Sequence, residues 1–269
     1  MPSIVLWLVF EAVAVVLWRA LGNPFYLLNF SYIGTCLAVG VALYACGWKH
    51  ARRFVQFAVG LYMLVYLGII QRENMQIEGF WYYLFLGVFE GATIHYLVAK
   101  IAGPAIFGRG WCGYACWTAM VLDLLPWKTS PGRRNALGWI RYALLAASLA
   151  FVGATIVLGV ASDALFSVAF VVGNVAYYAA GIGLAVALKD NRAFCKYLCP
   201  VGVLMKPAAY VSLMRVTCDT ERCVSCGRCR KACPMDVDMT DNSRGRTNGT
   251  ECILCGQCID ACPVKALKL

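Results

Sequence analysis

Apolar positions fill the chain in long unbroken runs up to about residue 215, then give way to a polar tail rich in cysteine and turn residues. The runs lie at about 4–21, 31–47, 54–71, 80–101, 137–160 and 165–188, each near the ~20 residues that a helix needs to cross a hydrocarbon core. Nearly every stretch lacks the solvated face of a soluble helix or strand. The pattern predicts an α-helical polytopic membrane protein of about six transmembrane helices, spanning residues 1–215, with a small α+β domain at 216–269. Two stretches in the helical part, 104–127 and 190–213, mix Gly, Pro, Arg and Cys with short apolar pieces. Such backbone must be shielded by protein or face water, so both are expected as loops at one membrane edge.

Charge orients the spans. Lys49, Arg52 and Arg53 follow the second run, Lys100, Arg109, Lys128, Arg133 and Arg134 the fourth, and Lys189, Arg192, Lys196 and Lys206 the sixth. The opposite loops hold little more than Arg19 and Arg72. Positive loops stay inside, which predicts a multi-pass protein of the cytoplasmic (inner) membrane with both termini and the tail domain on the cytoplasmic side. Trp7, Trp18, Trp48, Trp81, Trp127 and Trp139 stand near the span ends, where interfacial aromatic residues belong. The formal charge of +10 is explained by these loops, so no nucleic-acid partner is expected. Met1-Pro2-Ser3 has no basic stretch ahead of the first run, and no cleaved signal peptide is read there.

Fifteen cysteines would suit a disulfide-stapled secreted protein, but their spacing does not. Eight of them form two C-x2-C-x2-C-x3-C-P runs, Cys223, Cys226, Cys229, Cys233-Pro234 and Cys252, Cys255, Cys258, Cys262-Pro263. Thiolates are soft ligands suited to iron, and in runs of this kind the fourth cysteine serves the other cluster. The expectation is two [4Fe–4S] clusters, the first on Cys223, Cys226, Cys229 and Cys262 and the second on Cys252, Cys255, Cys258 and Cys233. Gly227 and Gly256 fall inside these loops, where a close backbone approach disfavours a Cβ. Zinc knuckles also use C-x2-C, though they pair ligands across a longer gap. The tail resembles bacterial two-cluster ferredoxins over about 220–269, and clusters in so small a domain are expected to staple its fold.

A second cysteine pattern lies upstream. Arg109-Gly-Trp111-Cys112-Gly-Tyr114-Ala-Cys116 parallels Arg192-Ala-Phe194-Cys195-Lys-Tyr197-Leu-Cys199, each after an apolar run and before a short apolar helix. This reads as an internal repeat of a helical hairpin plus a Cys-x3-Cys loop. Free cysteine is often a small core residue, but two matched pairs beside arginines favour a cofactor or redox role. If the pairs converge, Cys112, Cys116, Cys195 and Cys199 complete the ligand count of an additional [2Fe–2S] or [4Fe–4S] centre. Two separate redox pairs, or disulfides, are the alternatives.

With a ferredoxin-type tail behind them, GRGWCGYAC and CKYLCPVG resemble the membrane polyferredoxins of the NapH type, with NosR and CcoG as relatives, over about 80–269. The resemblance implies membrane electron transfer, often from quinol, and carries the family's Cys-x3-Cys-Pro pairs onto Cys112/Cys116 and Cys195/Cys199. Trp117 departs from the pattern, standing where the family usually has proline.

Two histidines, His50 and His95, cannot supply a multi-haem b anchor, so no haem is expected. Gly153-Ala154-Thr155 follows Val152 rather than a hydroxyl residue, and no covalent flavin is expected. Glu11 and Glu90 sit mid-span and His95 lies nearer the cytoplasmic side of the fourth run. Ionisable groups in hydrocarbon are costly, which makes Glu90 and His95 candidates for a quinone or proton site, against a plain interhelical hydrogen bond. Cys36 and Cys46 read as apolar fillers, and Cys218, just ahead of the first run, is idle or close to a cluster. The whole predicts an electron-transfer subunit more than a stand-alone enzyme. It would relay electrons between quinol or a cytoplasmic ferredoxin and a partner redox protein. A maturation factor that reduces a metal or cofactor, and a binding-only anchor, are the competing classes.

Overall fold

The computed structural model describes residues 2–89 and 91–269. The chain opens with an antiparallel pair, α1 (Pro2–Leu21) and α2 (Pro24–Ala45). Asn23 sets the start of α2: its side chain accepts from the Phe25 amide, and Pro24 supplies the preset φ of a first turn. The helix therefore begins earlier than its apolar run at 31–47. Glu11 accepts from Ser31 Oγ at 2.7 Å across this pair, an interhelical bond that satisfies a half-buried carboxylate.

α3 (Ala51–Leu61) runs on without a break into a wider π-helical stretch, Tyr62–Ile70. The run at 80–101 is not one helix. It forms α4 (Ile77–Phe85) and α5 (Gly91–Tyr96, continued in π form over Leu97–Ala102), folded back on each other. Gly87 (φ 70°) and Gly91 (φ 44°) take left-handed backbone at the turn, and Phe80 stacks on Tyr96 at 4.8 Å across it. Hydropathy reports an apolar run whether or not the chain reverses inside it, so the two glycines were the only local sign.

Short helices α6 (Pro104–Phe107), α7 (Gly110–Tyr114) and α8 (Trp117–Leu122) make the first loop region. Long α9 (Ile140–Val157) and α10 (Asp163–Leu188) follow, then α11 (Ala193–Tyr197), α12 (Val201–Leu204) and α13 (Lys206–Tyr210) repeat the short-helix theme. Ser162 caps α10 by accepting from the Leu165 amide. Among the described residues five helices are long and apolar enough to cross a membrane, at Ser3–Leu21, Pro24–Ala45, Ala51–Ile70, Asn135–Val157 and Asp163–Leu188. Their outer faces carry bare apolar side chains, Val157 at 86% and Val175 at 64% exposure among them, an arrangement fit for lipid.

The tail holds β1 (Thr217–Cys218), α14 (Arg228–Ala232), α15 (Gln257–Asp260) and β2 (Leu267–Lys268), with β1 and β2 antiparallel. It is not a free appendage. Leu122, Phe194 and Met205 share one apolar core with Val216, Met235, Val237 and Ile253. The basic loops meet at this end of the bundle, since Arg52 and Arg192 both pair with Asp123. Trp7 Nε1 donates to Thr35 at 3.2 Å, so α1 runs antiparallel to α2 and its N-terminal end lies toward the tail domain as well.

Candidate metal centres

The tail brings its cysteines into two groups. One hollow is lined by Cys223, Cys226, Cys229 and Cys262, with Cys218 beside them. The other is lined by Cys233, Cys252, Cys255 and Cys258. Each run therefore sends its fourth sulfur across to the neighbouring hollow. Matching backbone does this: Ser225, Gly227 and Asp236 in the first run and Leu254, Gly256 and Lys265 in the second all have positive φ. Gly227 and Gly256 are needed for that left-handed turn rather than for space, because a Cβ on Gly227 would meet no protein atom within 4 Å. The amides of Val237 and Ala266 donate to Cys233 Sγ at 3.4 Å and Cys262 Sγ at 3.3 Å, bonds that favour thiolate over thiol. Among the described residues, no three Cys, His, Asp or Glu side chains close on a single ion. The sulfurs ring hollows instead, and four thiols around a hollow fit an iron–sulfur cluster.

The second constellation is assembled from both repeats. Cys112, at the centre of α7, and Cys195, at the centre of α11, are buried. Cys116 caps α8, whereas Cys199 lies one residue before Pro200, which caps α12 rather than entering it. Cys112 and Cys195 belong to one apolar core with Cys199 packed against it, and Cys116 is close enough for its charge to act on Cys195 and Cys199. Burial pushes the Cys195 thiol up to about 11 and Cys199 to about 12, and Cys112 and Cys116 add to both shifts. At such values neither Cys195 nor Cys199 ionises at neutral pH, so thiolate there requires compensating positive charge.

That charge is present. Arg109 Nη2 lies 3.9 Å from Cys112 Sγ, and Arg192 Nη1 lies 3.8 Å from Cys195 Sγ. Arg192 also donates to the Cys112 carbonyl at 3.3 Å, tying one repeat to the other. Both guanidiniums are buried, and each needs an anion. Arg192 bonds Asp123 at 2.6 Å, alongside Arg52 at 2.9 Å. Arg109 pairs with Glu251, which also accepts from Arg141 at 2.8 Å and faces Arg133 and Lys206 at 3.5 and 3.6 Å. Burial alone would raise the Glu251 carboxyl, but Arg109, Arg141 and Arg133 reverse this and hold it below the usual range.

Glu251 directly precedes Cys252, so this ion cluster joins the upstream pocket to the second tail hollow. The backbones touch as well. The Arg109 amide donates to the Cys252 carbonyl at 3.3 Å, Tyr114 Oη donates to the Leu254 carbonyl at 3.0 Å, and a Cβ on Gly113 would collide with the Ile253 carbonyl. Lys196 makes a second clamp, 2.7 Å from Asp190 and 2.6 Å from Asp236.

His95 lies in α5 and lines an apolar hollow of about 100 Å³ with Phe10, Phe25, Met63, Glu73 and Asn29, partly open to the outside. Among the described residues its buried Nε2 meets no hydrogen-bond partner. The ring meets Trp111 edge-on at 4.8 Å, and Trp111 adjoins Cys112. Glu73 presses its carboxyl against Gly91, where a side chain would collide with it. Glu90 lies outside the described residues. Glu73, Glu251 and Asp123 carry no motif in the sequence; only the position of Glu251 beside a tail cysteine offers a local signal.

Comparison with known proteins supports this chemistry. Residues 222–267 match a 4Fe-4S dicluster domain, and 96–135 and 172–216 each match a 4Fe-4S binding domain. The two upstream matches each contain one Cys-x3-Cys pair. An uncharacterised protein of Methanocaldococcus jannaschii is 26% identical over 164 residues, 56% of this chain and 61% of that protein. The provisionally named electron transport protein YccM of Escherichia coli is 34% identical over 64 residues, 24% of this chain and 18% of that protein. The chain thus spans less than two thirds of the length of either relative. No solved structure matches. The chain carries iron–sulfur domains, and electron transfer through them is the activity these matches support.

Proposed function

We propose that the protein is a membrane-embedded electron relay of the NapH-like kind, using three iron–sulfur centres in series. Cys112, Cys116, Cys195 and Cys199 hold the first. Cys233, Cys252, Cys255 and Cys258 hold the second, and Cys223, Cys226, Cys229 and Cys262 the third. Each centre supplies one-electron transfer when bound. The convergence of the two Cys-x3-Cys pairs carries this reading: each repeat offers two thiols to a 4Fe-4S domain, and one cluster needs four. Arg109 and Arg192 offset the thiolate charge, and the contact of 109–114 with 252–254 shortens the path to the second set. Cys226 is exposed, which leaves the third set facing a partner redox protein.

Five long helices and the helical hairpin at 77–102 embed the chain in the inner membrane, with the basic end and tail domain cytoplasmic. The hollow beside His95 favours a quinol as donor over a soluble ferredoxin. It is lined mostly by apolar side chains, and it offers two groups for the protons that a quinol releases with its two electrons. His95 Nε2 accepts one and Glu73 lies within the same hollow for the other.

Anaerobic purification, iron analysis and redox-titrated EPR test the reading. Iron should approach the content of three cubanes and fall by about a third in a folded Cys112→Ala, Cys195→Ala variant, because one of three centres is lost. Unchanged iron and EPR in that variant would exclude the upstream centre. His95→Gln should lower the rate of reduction by a menaquinol analogue at least ~100-fold while leaving dithionite reduction intact; equal rates would remove quinol as donor.

A further inference from the structure

At the junction of the bundle and the tail domain, a hollow is lined by Arg215, Arg244 and Arg246 together with Ser243 and Thr250 and, among the described residues, by no carboxylate. Among the described residues none of the three arginines is in an ion pair. This contrasts with Arg109, Arg141 and Arg192, each matched to an acid. The three are nevertheless held in place. Arg244 donates to the Tyr210 and Ser212 carbonyls at 3.1 and 2.7 Å, Arg246 to the Val216 carbonyl at 2.7 Å, and Arg215 to the Asn242 carbonyl. A guanidinium has five N–H donors, so each retains spare ones while its orientation is fixed by backbone. Three oriented cations around one concavity are a receptor for an anion, and bidentate guanidinium bonding suits phosphate oxygens.

The rim of the hollow says where that phosphate comes from. Val211, Leu213 and Met214 are exposed next to Arg215, Leu213 at 75%. The Leu213 and Met214 amides pair with the Ala105 and Ile106 carbonyls, which joins this strip to exposed Ile106, Ile101 and Val98 on the outer face of α5 and α6. A ligand with its phosphate on the arginines would therefore have apolar surface leading from the hollow toward the membrane. We infer that this is a site for the head group of an anionic phospholipid, its acyl chains lying along the strip from Leu213 to Val98. The inference rests on the proposed membrane setting but not on the ligation of any cluster. The site would fasten the tail domain to the bilayer at Cys252, which also lines the hollow.

The test uses the full chain, purified anaerobically in a neutral maltoside detergent and followed by native mass spectrometry, with visible absorbance recording iron loading. Phosphatidylglycerol, phosphatidylcholine and inorganic phosphate are the probes. Wild type should retain phosphatidylglycerol at least about tenfold more tightly than phosphatidylcholine, since the choline cation cancels the charge that the arginines read. An Arg215→Gln, Arg244→Gln variant with normal absorbance should lose about tenfold or more of that affinity, while Arg215→Lys, Arg244→Lys keeps part of it. Equal retention of the two lipids, or unchanged phosphatidylglycerol binding in the Gln variant, overturns the site. Inorganic phosphate binding as tightly as the lipid would assign the hollow to a soluble anion and overturn the lipid. Loss of absorbance with lipid preference intact would count against the cluster reading alone.

Discussion

The tail domain and the upstream cysteine pocket hold similar sets of sulfurs by different means. In the tail, spacing does most of the work: two short runs with matched left-handed residues cross their fourth cysteines, and nearby amides bond those sulfurs. The upstream pocket has no such local closure. Its four cysteines come from loops separated by α9 and α10, and are held through Arg109 and Arg192, each matched to an acid on another element. A local site survives loss of distant partners; a tertiary one does not. The contrast teaches that the tail can tolerate surface change, whereas the pocket depends on ion pairs that sequence spacing does not reveal.

The largest effect should come from Glu251. Glu251→Leu leaves Arg109 and Arg141 buried without their carboxylate, and breaking one side of a buried pair costs about 3–5 kcal/mol. Thermal unfolding should fall sharply and the upstream EPR signal should vanish, whereas Asp260→Asn, on the tail's outer helix α15, should change stability by less than ~0.5 kcal/mol. Equal effects from the two substitutions would erase the distinction between the regions.

Acid should separate the regions next. Glu251 and Asp123 are both held below their ordinary values despite burial that raises them, because arginines face them. A carboxyl depressed in the fold contributes stability that is complete above its unfolded value, near ~4, and lost as pH falls through the folded value. Melting temperature should therefore vary little from pH 7 to about 5 on this account and drop below ~4. The Glu251→Gln variant should show a shallower acid limb, since its amide no longer titrates. An equally steep limb would remove Glu251 as its source.

Much of this architecture is legible in the residues. The eight tail cysteines announce their grouping by spacing, and the match of Arg109-x2-Cys112-x3-Cys116 to Arg192-x2-Cys195-x3-Cys199 marks a repeat while spacing alone leaves open a shared centre, two redox pairs or disulfides. Five long helices followed from apolar runs alone. The hairpin at 77–102 did not, because reversal there depends on φ at Gly87 and Gly91 and on Phe80 meeting Tyr96. Nor did the acids. Glu251 and Asp123 look like ordinary loop or helix-end residues until tertiary packing buries them among arginines. Glu73 stands beside an apolar run rather than inside it, so hydropathy does not mark it.

The smallest and sharpest effect concerns Cys218, the fifth cysteine of the hollow that holds Cys223, Cys226, Cys229 and Cys262. Its backbone is fixed by pairing with Leu267 and by mutual bonds with Asn242 at 2.8 Å, so it has little freedom to replace a neighbour. Burial, helped by Cys223, pushes its thiol up to about 11. The group is therefore a neutral S–H beside a sulfur that a cluster would leave anionic. A hydrogen bond or dipole directed at such a sulfur stabilises the more negative, reduced state. Cys218→Ala removes it, and the matching position in the second run, Thr247, offers no sulfur. The midpoint potential of this centre should fall by about 20–40 mV, the one-electron equivalent of ~0.5–1 kcal/mol. Cluster content and the other potentials should stay unchanged. Loss of iron in Cys218→Ala would instead make Cys218 a ligand and break the grouping given for this hollow. An unchanged potential would leave it a small buried residue of the tail's core.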